Sequence, residues 1–296
     1  MSVTFTNYNP DPLFGKDYHR LRDLLVRLDN HNYHFGRWDW MITHTMLEKD
    51  SLSKIGLWED NGMLVAVATY DCIPGQAFLL HLPDYEYLKE DMLLYAKDNL
   101  QKDGKFQVII RDGDTATQAI AARHGFCPTQ QKESEAVYPI GPDPVTYDLP
   151  EGFSIVSMKD HYDLRQYGQI LWKGFNHEAK GEGPFIFKDE ELPAWRLQFE
   201  RPNTDLNLKI AVVAPNGDFV SYCGMWQDNN SQSALVEPVA TDPAYRKMGL
   251  GRAAVLEAVR RCGMLGAKRA FVGSSQQFYY RIGFRPYAVS TWWEQQ

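Results

Sequence analysis

Cysteine is scarce in this chain, and so is any pattern that would organise a metal. Cys72, Cys127, Cys223 and Cys262 stand singly in 296 residues, without a CxxC pair. No disulfide framework or cysteine zinc site is expected, and the thiols read as reduced and mostly buried. The eight histidines form neither HxH nor HExxH, and His31 and His34 are set among aromatics, so no metal is expected. Long apolar runs are missing too. Residues 63–68 are one of the longest, far below the ~20 residues of a membrane span. The opening MSVTFTNYNP has neither the basic nor the apolar segment of a secretory leader, which points to the cytoplasm. Nor is there a surplus of positive charge: 31 Lys and Arg against 38 Asp and Glu leave a net −7, the wrong sign for a surface that grips nucleic acid.

What remains is an ordinary folded composition, 44% hydrophobic and 23% charged, in a chain long enough for two domains at ~150 residues each. Pro139, Pro142, Pro144 and Pro150 crowd residues 138–152, which show no apolar periodicity and read as a stiff extended connector. The expected division is therefore a domain over 1–140, a linker over 141–152 and a second domain over 153–296. In the second domain a strand pattern at 153–158 precedes helical spacing near 160–175 and 189–200. A meander of strands follows at 208–214, 219–227 and 234–241, then a helix at 250–265 with Gly266 as its C-cap, and a short strand at 269–272. The first half repeats the order more faintly: helix near 18–28, strands at 55–58 and 63–70, helix at 87–100, strand at 107–111, helix at 115–124. RHGF at 123–126 answers YRIGF at 280–284, so the chain reads as an internal duplication. Trp38, Trp40 and Trp58 read as core.

The most informative stretch is EPVATDPAYRKMGLGRAAVLEAV, residues 237–259. A strand runs into a loop of Arg246, Lys247, Met248, Gly249, Leu250 and Gly251 that opens directly into an amphipathic helix. Glycines let backbone N–H groups converge on one point, and the helix start adds about half a unit of positive charge, so the place suits a phosphate. From Ala244 to Arg269, the cations Arg246, Lys247, Arg252, Arg260, Arg261, Lys268 and Arg269 meet only one acidic residue, Glu257, although the protein as a whole is acidic. Gly249, Gly251 and Ala254 also match GxGxxA formally, but no acidic residue follows about twenty positions on to hold a ribose. Nothing matches the Walker pattern GxxxxGK[ST]. A plain turn with solvated basic residues is the remaining alternative. Pro238, without an N–H, marks a bulge or an edge inside its strand.

Arg246, Gly249 and Gly251 resemble the [QR]xxGx[GA] loop of the GNAT superfamily of acyl-CoA N-acyltransferases, and FYYRIGF at 278–284 is similar to that family's FYxxxGF segment. The resemblance covers about residues 150–290. It implies an α+β fold of two tandem GNAT-like domains, each a mixed, mostly antiparallel sheet flanked by helices. By the same resemblance the first copy would be degenerate and catalytically silent, as in mycothiol synthase-like tandem arrangements. The loop amides of residues 246–252, that is Arg246 to Gly251 together with Arg252, would hold the coenzyme A pyrophosphate. Unpaired strand groups of Val239 and Thr241 would bind pantetheine, and Ser274 stands where relatives often carry an asparagine. Glu237 is the candidate base and Tyr279 the candidate proton donor to the leaving thiolate. An exposed strand carboxylate and a packing tyrosine are the other readings of those two. The loop at 176–187, with His177, Glu178, Glu182, Phe185 and Phe187, is a candidate contact for a cationic acceptor. The implied function is an N-acetyltransferase that moves acetyl from acetyl-CoA, its cosubstrate, to a small-molecule primary amine. The alternatives are a non-catalytic acyl-CoA sensor and an acetyltransferase acting on a protein amine. No nucleic acid, membrane or metal partner is expected.

Overall fold

Period-two and helical apolar spacings alternate along both halves, and each spacing becomes the element it dictates. The computed structural model describes residues 3–29 and 32–295; His31 lies outside them. One unit comprises residues 1–135 and 286–296, the other residues 136–285. The proline-rich linker expected at 141–152 thus falls inside the second unit, and the last eleven residues belong to the first.

The first unit contains β1 (Thr4–Asn7), α1 (Lys16–Leu28), α2 (Phe35–Met41), β2 (Gly56–Asp60), β3 (Met63–Tyr70), β4 (Gln76–His81), α3 (Lys89–Asn99), β5 (Gln107–Arg111), α4 (Thr115–Arg123) and the first ten residues of β6 (Phe126–Pro139). The second contains the end of β6, then β7 (Ser154–Ser157), α5 (Leu164–Gly174), α6 (Leu192–Glu200), β8 (Lys209–Val213), β9 (Phe219–Gln227), β10 (Ser233–Thr241), α7 (Leu250–Met264), β11 (Arg269–Val272) and α8 (Gln277–Arg281). The last strand, β12 (Arg285–Gln295), returns to the first unit apart from Arg285.

Strands run in the order β1-β2-β3-β4-β5-β12 in the first unit and β7-β8-β9-β10-β11-β6 in the second. Each set is antiparallel except at one position, the fourth and fifth strands, where β4 meets β5 and β10 meets β11 in parallel. The same order with the same parallel pair in both units bears out the α+β fold and the internal repeat. Each sixth strand comes from elsewhere in the chain: β6 precedes β7, and β12 follows everything else.

In the second unit α7 lies on one sheet face, burying Leu250, Ala254, Val255, Ala258, Val259 and Cys262 against β8 to β11. A fully buried side chain such as Val255 contributes about 2 kcal/mol. On the other face α5 and α6 bring Tyr167, Ile170 and Phe199 onto Ala211, Tyr222 and Ala240. The stretch read as a stiff extended connector packs on the domain: Ile140, Val145 and Leu149 lie on the α7 core, and the Tyr147 hydroxyl donates to Glu257 at 2.9 Å. In the first unit Trp38 and Trp58 are buried. Trp40 is only half-buried, lying against His44 and beneath Arg37. Burial pushes the imidazole of His34 down to about 3, and its Nδ1 caps α2 by accepting from the Gly36 N–H at 3.0 Å.

Candidate functional site

The site is built where β10 leaves its neighbour. Among the described residues β10 meets β11 only at Ser233 to Leu235, while its pairing with β9 runs on to Thr241. The N–H of Asp242 donates to Val220 O at 3.0 Å. Backbone groups alternate along a strand, so those of Val239 and Thr241 face the opposite edge, where the sheet has opened. Of these, the Thr241 carbonyl already accepts from Arg246 Nε at 3.2 Å.

Between Val236 and Val239 the β9–β10 register shifts by one residue, a bulge made of Glu237 and Pro238, whose peptide bond is cis. The carbonyl oxygen of Glu237 accepts from Trp226 Nε1 at 3.0 Å. Gly224 lies beneath the bulge: a Cβ there would sit 2.5 Å from Glu237 O, so only glycine admits this approach. The Glu237 side chain is half-buried at the opened edge.

At the far end of β10, Asp242 caps a short turn by accepting from the Ala244 N–H at 2.9 Å. Lys247 (φ 67°) and Gly249 (φ 83°) are then left-handed, on either side of Met248. A lysine held so costs about 1 kcal/mol. Alternating handedness turns successive N–H groups to one side, a concave arrangement that suits an anion. Among the described residues no acceptor meets the amides of residues 247–252, and no side chain caps α7. The Leu250 side chain is buried, whereas those of Lys247, Met248 and Arg252 are exposed. Arg252 Nη2 reaches Thr146 O at 3.3 Å.

The Arg246 side chain is turned away from the amides. Besides Thr241 O, its guanidinium bonds Gly174 O and Asn176 Oδ1, both at 2.9 Å. Lys173 Nζ bonds Asp242 at 3.1 Å beside it. The loop is therefore tied to the C-terminal end of α5.

Tyr279, on α8, is 8% exposed, with its ring edge-on to Phe278 and Phe284. Burial pushes its phenol far above the ordinary range, and the nearby Cys223 and Glu237 add to the shift. The two candidate residues thus lie within electrostatic reach of one another. Burial raises both Cys223 and Cys262, the latter to about 12, so these thiols stay protonated and unreactive. Ser274 Oγ accepts from the Gln276 N–H at 3.2 Å and serves the turn into α8.

The loop at 176–187 is folded back on α5. His177 stacks on Trp172 at 4.3 Å and its Nδ1 meets Glu182 at 2.9 Å. Trp172 Nε1 donates to Gly183 O, Phe185 packs on Gly168, and Phe187 lies beneath Arg165. Glu178 is exposed. Trp226, Lys173 and Asn176 carry no motif that would single them out in the sequence. The one signal for the bulge besides Pro238 is Gly224, a glycine inside an apolar strand.

Residues 170–284 match the model of the acetyltransferase (GNAT) family. Among solved structures, the chain is similar to a tandem GNAT protein from the clavulanic acid biosynthesis pathway, with TM-score 0.63 and 12% identity, covering 99% of this chain and 98% of that one. It is similar to a GCN5-related N-acetyltransferase from Sphaerobacter thermophilus, with TM-score 0.56, 17% identity and coverage of 99% and 95%. An acetyltransferase from the GNAT family of Colwellia psychrerythraea gives TM-score 0.56 at 10% identity, with both chains fully covered. At these identities the likeness is one of fold. No curated protein matches the sequence.

Proposed function

We propose that the chain, whose residues 170–284 match the model of the acetyltransferase (GNAT) family, transfers an acetyl group from acetyl-CoA to a primary amine of a small molecule by direct attack. The observation that carries this reading is the opened edge of β10, which begins beside Glu237 and ends at the unpaired amides of residues 247–252. Those amides and the start of α7 suit a diphosphate. The free backbone groups of Val239 and the N–H of Thr241 suit the amides of pantetheine, in line with the edge.

An alkylammonium of pKa ~10 is only ~0.1% neutral at pH 7, which costs about 4 kcal/mol. Glu237, directly or through water, takes that proton, a role giving roughly 10²- to 10⁴-fold. Tyr279 is kept protonated by its burial and gives its proton to the departing thiolate. Holding amine and thioester together supplies much of the rest. The buried thiols support a route without a covalent enzyme intermediate.

An amine library assayed with acetyl-CoA for release of coenzyme A thiol tests the reading. Release is expected with at least one small amine, with kcat about a hundredfold lower in Glu237→Gln and in Tyr279→Phe. Binding of acetyl-CoA without release in any mixture would leave the sensor reading; release only with peptides would transfer the activity to protein amines.

A further inference from the structure

The indole of Trp226 lies under the one irregularity of β10, and nothing in the family pattern described above assigns it a role. We infer that Trp226 is a positioning residue for the proposed base: its N–H fixes the carbonyl of Glu237, and with it the direction in which the Glu237 carboxylate leaves the strand. The inference rests on the acetyl-transfer reading of this site.

A bulge places two residues opposite one and interrupts the ladder, so the extra residue is not held by the pairing that holds its neighbours. Side chains alternate between the faces of a strand, and a slip of one residue sends a side chain to the opposite face. The Glu237–Pro238 bulge therefore needs an anchor other than β9 backbone. Pro238 offers no N–H, and the Glu237 carbonyl accepts from Trp226 Nε1 at 3.0 Å. Gly224 lets the carbonyl come that close.

The anchor is itself held. Lys209 Nζ lies 3.4 Å from the centre of the Trp226 ring and Arg201 lies 4.6 Å from it. Both cations are buried, at 3% and 6% exposure, and Lys209 also bonds Met225 O at 2.8 Å. Cations on an indole face are attracted by the ring and fix its plane. They also draw electron density from the indole, which strengthens its N–H as a donor. Trp226 is 2% exposed, so it does not touch a substrate and acts only through Glu237.

Steady-state kinetics on the full chain test this, with the wild type, Trp226→Phe and a protein carrying benzothienylalanine at position 226, which keeps the ring shape and replaces only the N–H. A misplaced group near the reacting atoms costs about 10- to 100-fold, so both variants should lose at least tenfold in kcat while the KM for acetyl-CoA stays within twofold. In a Glu237→Gln background the same changes should have no further effect on kcat, because the residue acted upon is already disabled. A simple loss of packing would lower kcat equally in both backgrounds. An active wild type whose benzothienylalanine form keeps its kcat, or a loss that persists in the Glu237→Gln background, overturns the inference alone. A wild type that releases no thiol with any amine overturns the functional reading, and this inference with it.

Discussion

The guanidinium of Arg246 bonds the carbonyl oxygen of Gly174 at 2.9 Å, joining the loop before α7 to the last residue of α5 across the tip of β10. Its further bonds, to Asn176 and Thr241, make it a brace between two loops that are 70 residues apart in the chain. The arginine of the RxxGxG pattern thus braces the loop before α7 with its side chain turned outward.

Replacing that fork with a single-point donor should loosen the loop more than it weakens the protein. Arg246→Lys keeps the charge but not the geometry, and at an exposed position its bonds contribute about 1 kcal/mol or less to stability. The expected outcome is a thermal midpoint within a few degrees of wild type and a dissociation constant for acetyl-CoA raised about tenfold, read by calorimetric titration. Asn176→Ala should move the affinity in the same direction by a smaller factor.

Gly249 separates conformation from crowding, because a Cβ there would meet nothing within 4 Å. Its φ of 83° is the whole cost of a side chain, about 1–2 kcal/mol for alanine and less for asparagine. Gly249→Ala should therefore weaken acetyl-CoA binding by more than Gly249→Asn does. Titrations of the two variants that come out equal would contradict the left-handed turn.

Glu257 should make the protein acid-sensitive. Burial opposes its ionisation, but hydrogen bonds from Arg260, Arg261 and Tyr147 outweigh that and hold it at about 2. A carboxylate depressed in the fold adds stability above its unfolded value, ordinarily near 4.5, and loses it as the pH falls toward 2. Allowing for the half-exposed Arg260, Glu257→Gln should lower stability by about 2 kcal/mol at pH 7 and by much less at pH 3. Urea unfolding at the two pH values measures the difference.

Cutting the chain should show how the units are completed. A chain ending at Arg285 loses β12, which pairs with β5 from Gln107 to Arg111 and buries Trp292. A chain beginning at Phe153 loses the end of β6, which pairs with all four residues of β11. Neither truncation should unfold in one cooperative transition, as seen by circular dichroism on heating.

Much of this architecture was readable from pattern alone. The strands at 63–70, 107–111 and 219–227 and the helix opening at Leu250 fall where period and turn residues put them, because there burial and local preference agree. Strand β4, with its mixed QAFLLH, and β12, RPYAVSTWWEQ, carry no clean alternation, and nothing local says that β12 joins the first unit. That depends on long-range pairing. At the site the glycines and Pro238 announced a turn and a broken strand, since backbone geometry leaves a mark on residue choice. The partners of Arg246 and Trp226 left none: a carbonyl oxygen looks the same in every residue, so the contacts that direct these two side chains had to be seen in the fold.

The placement of β12 also has a bearing on synthesis. Translation runs from the amino end, so the sheet of the first unit waits on the ribosome with β5 uncovered until residues 286–295 emerge, long after its other strands. That waiting edge carries Val108, Ile109 and Ile110, and an unpaired apolar strand is an invitation to other nascent chains. Slow elongation through the second half would prolong that exposure, and chaperone demand should track it.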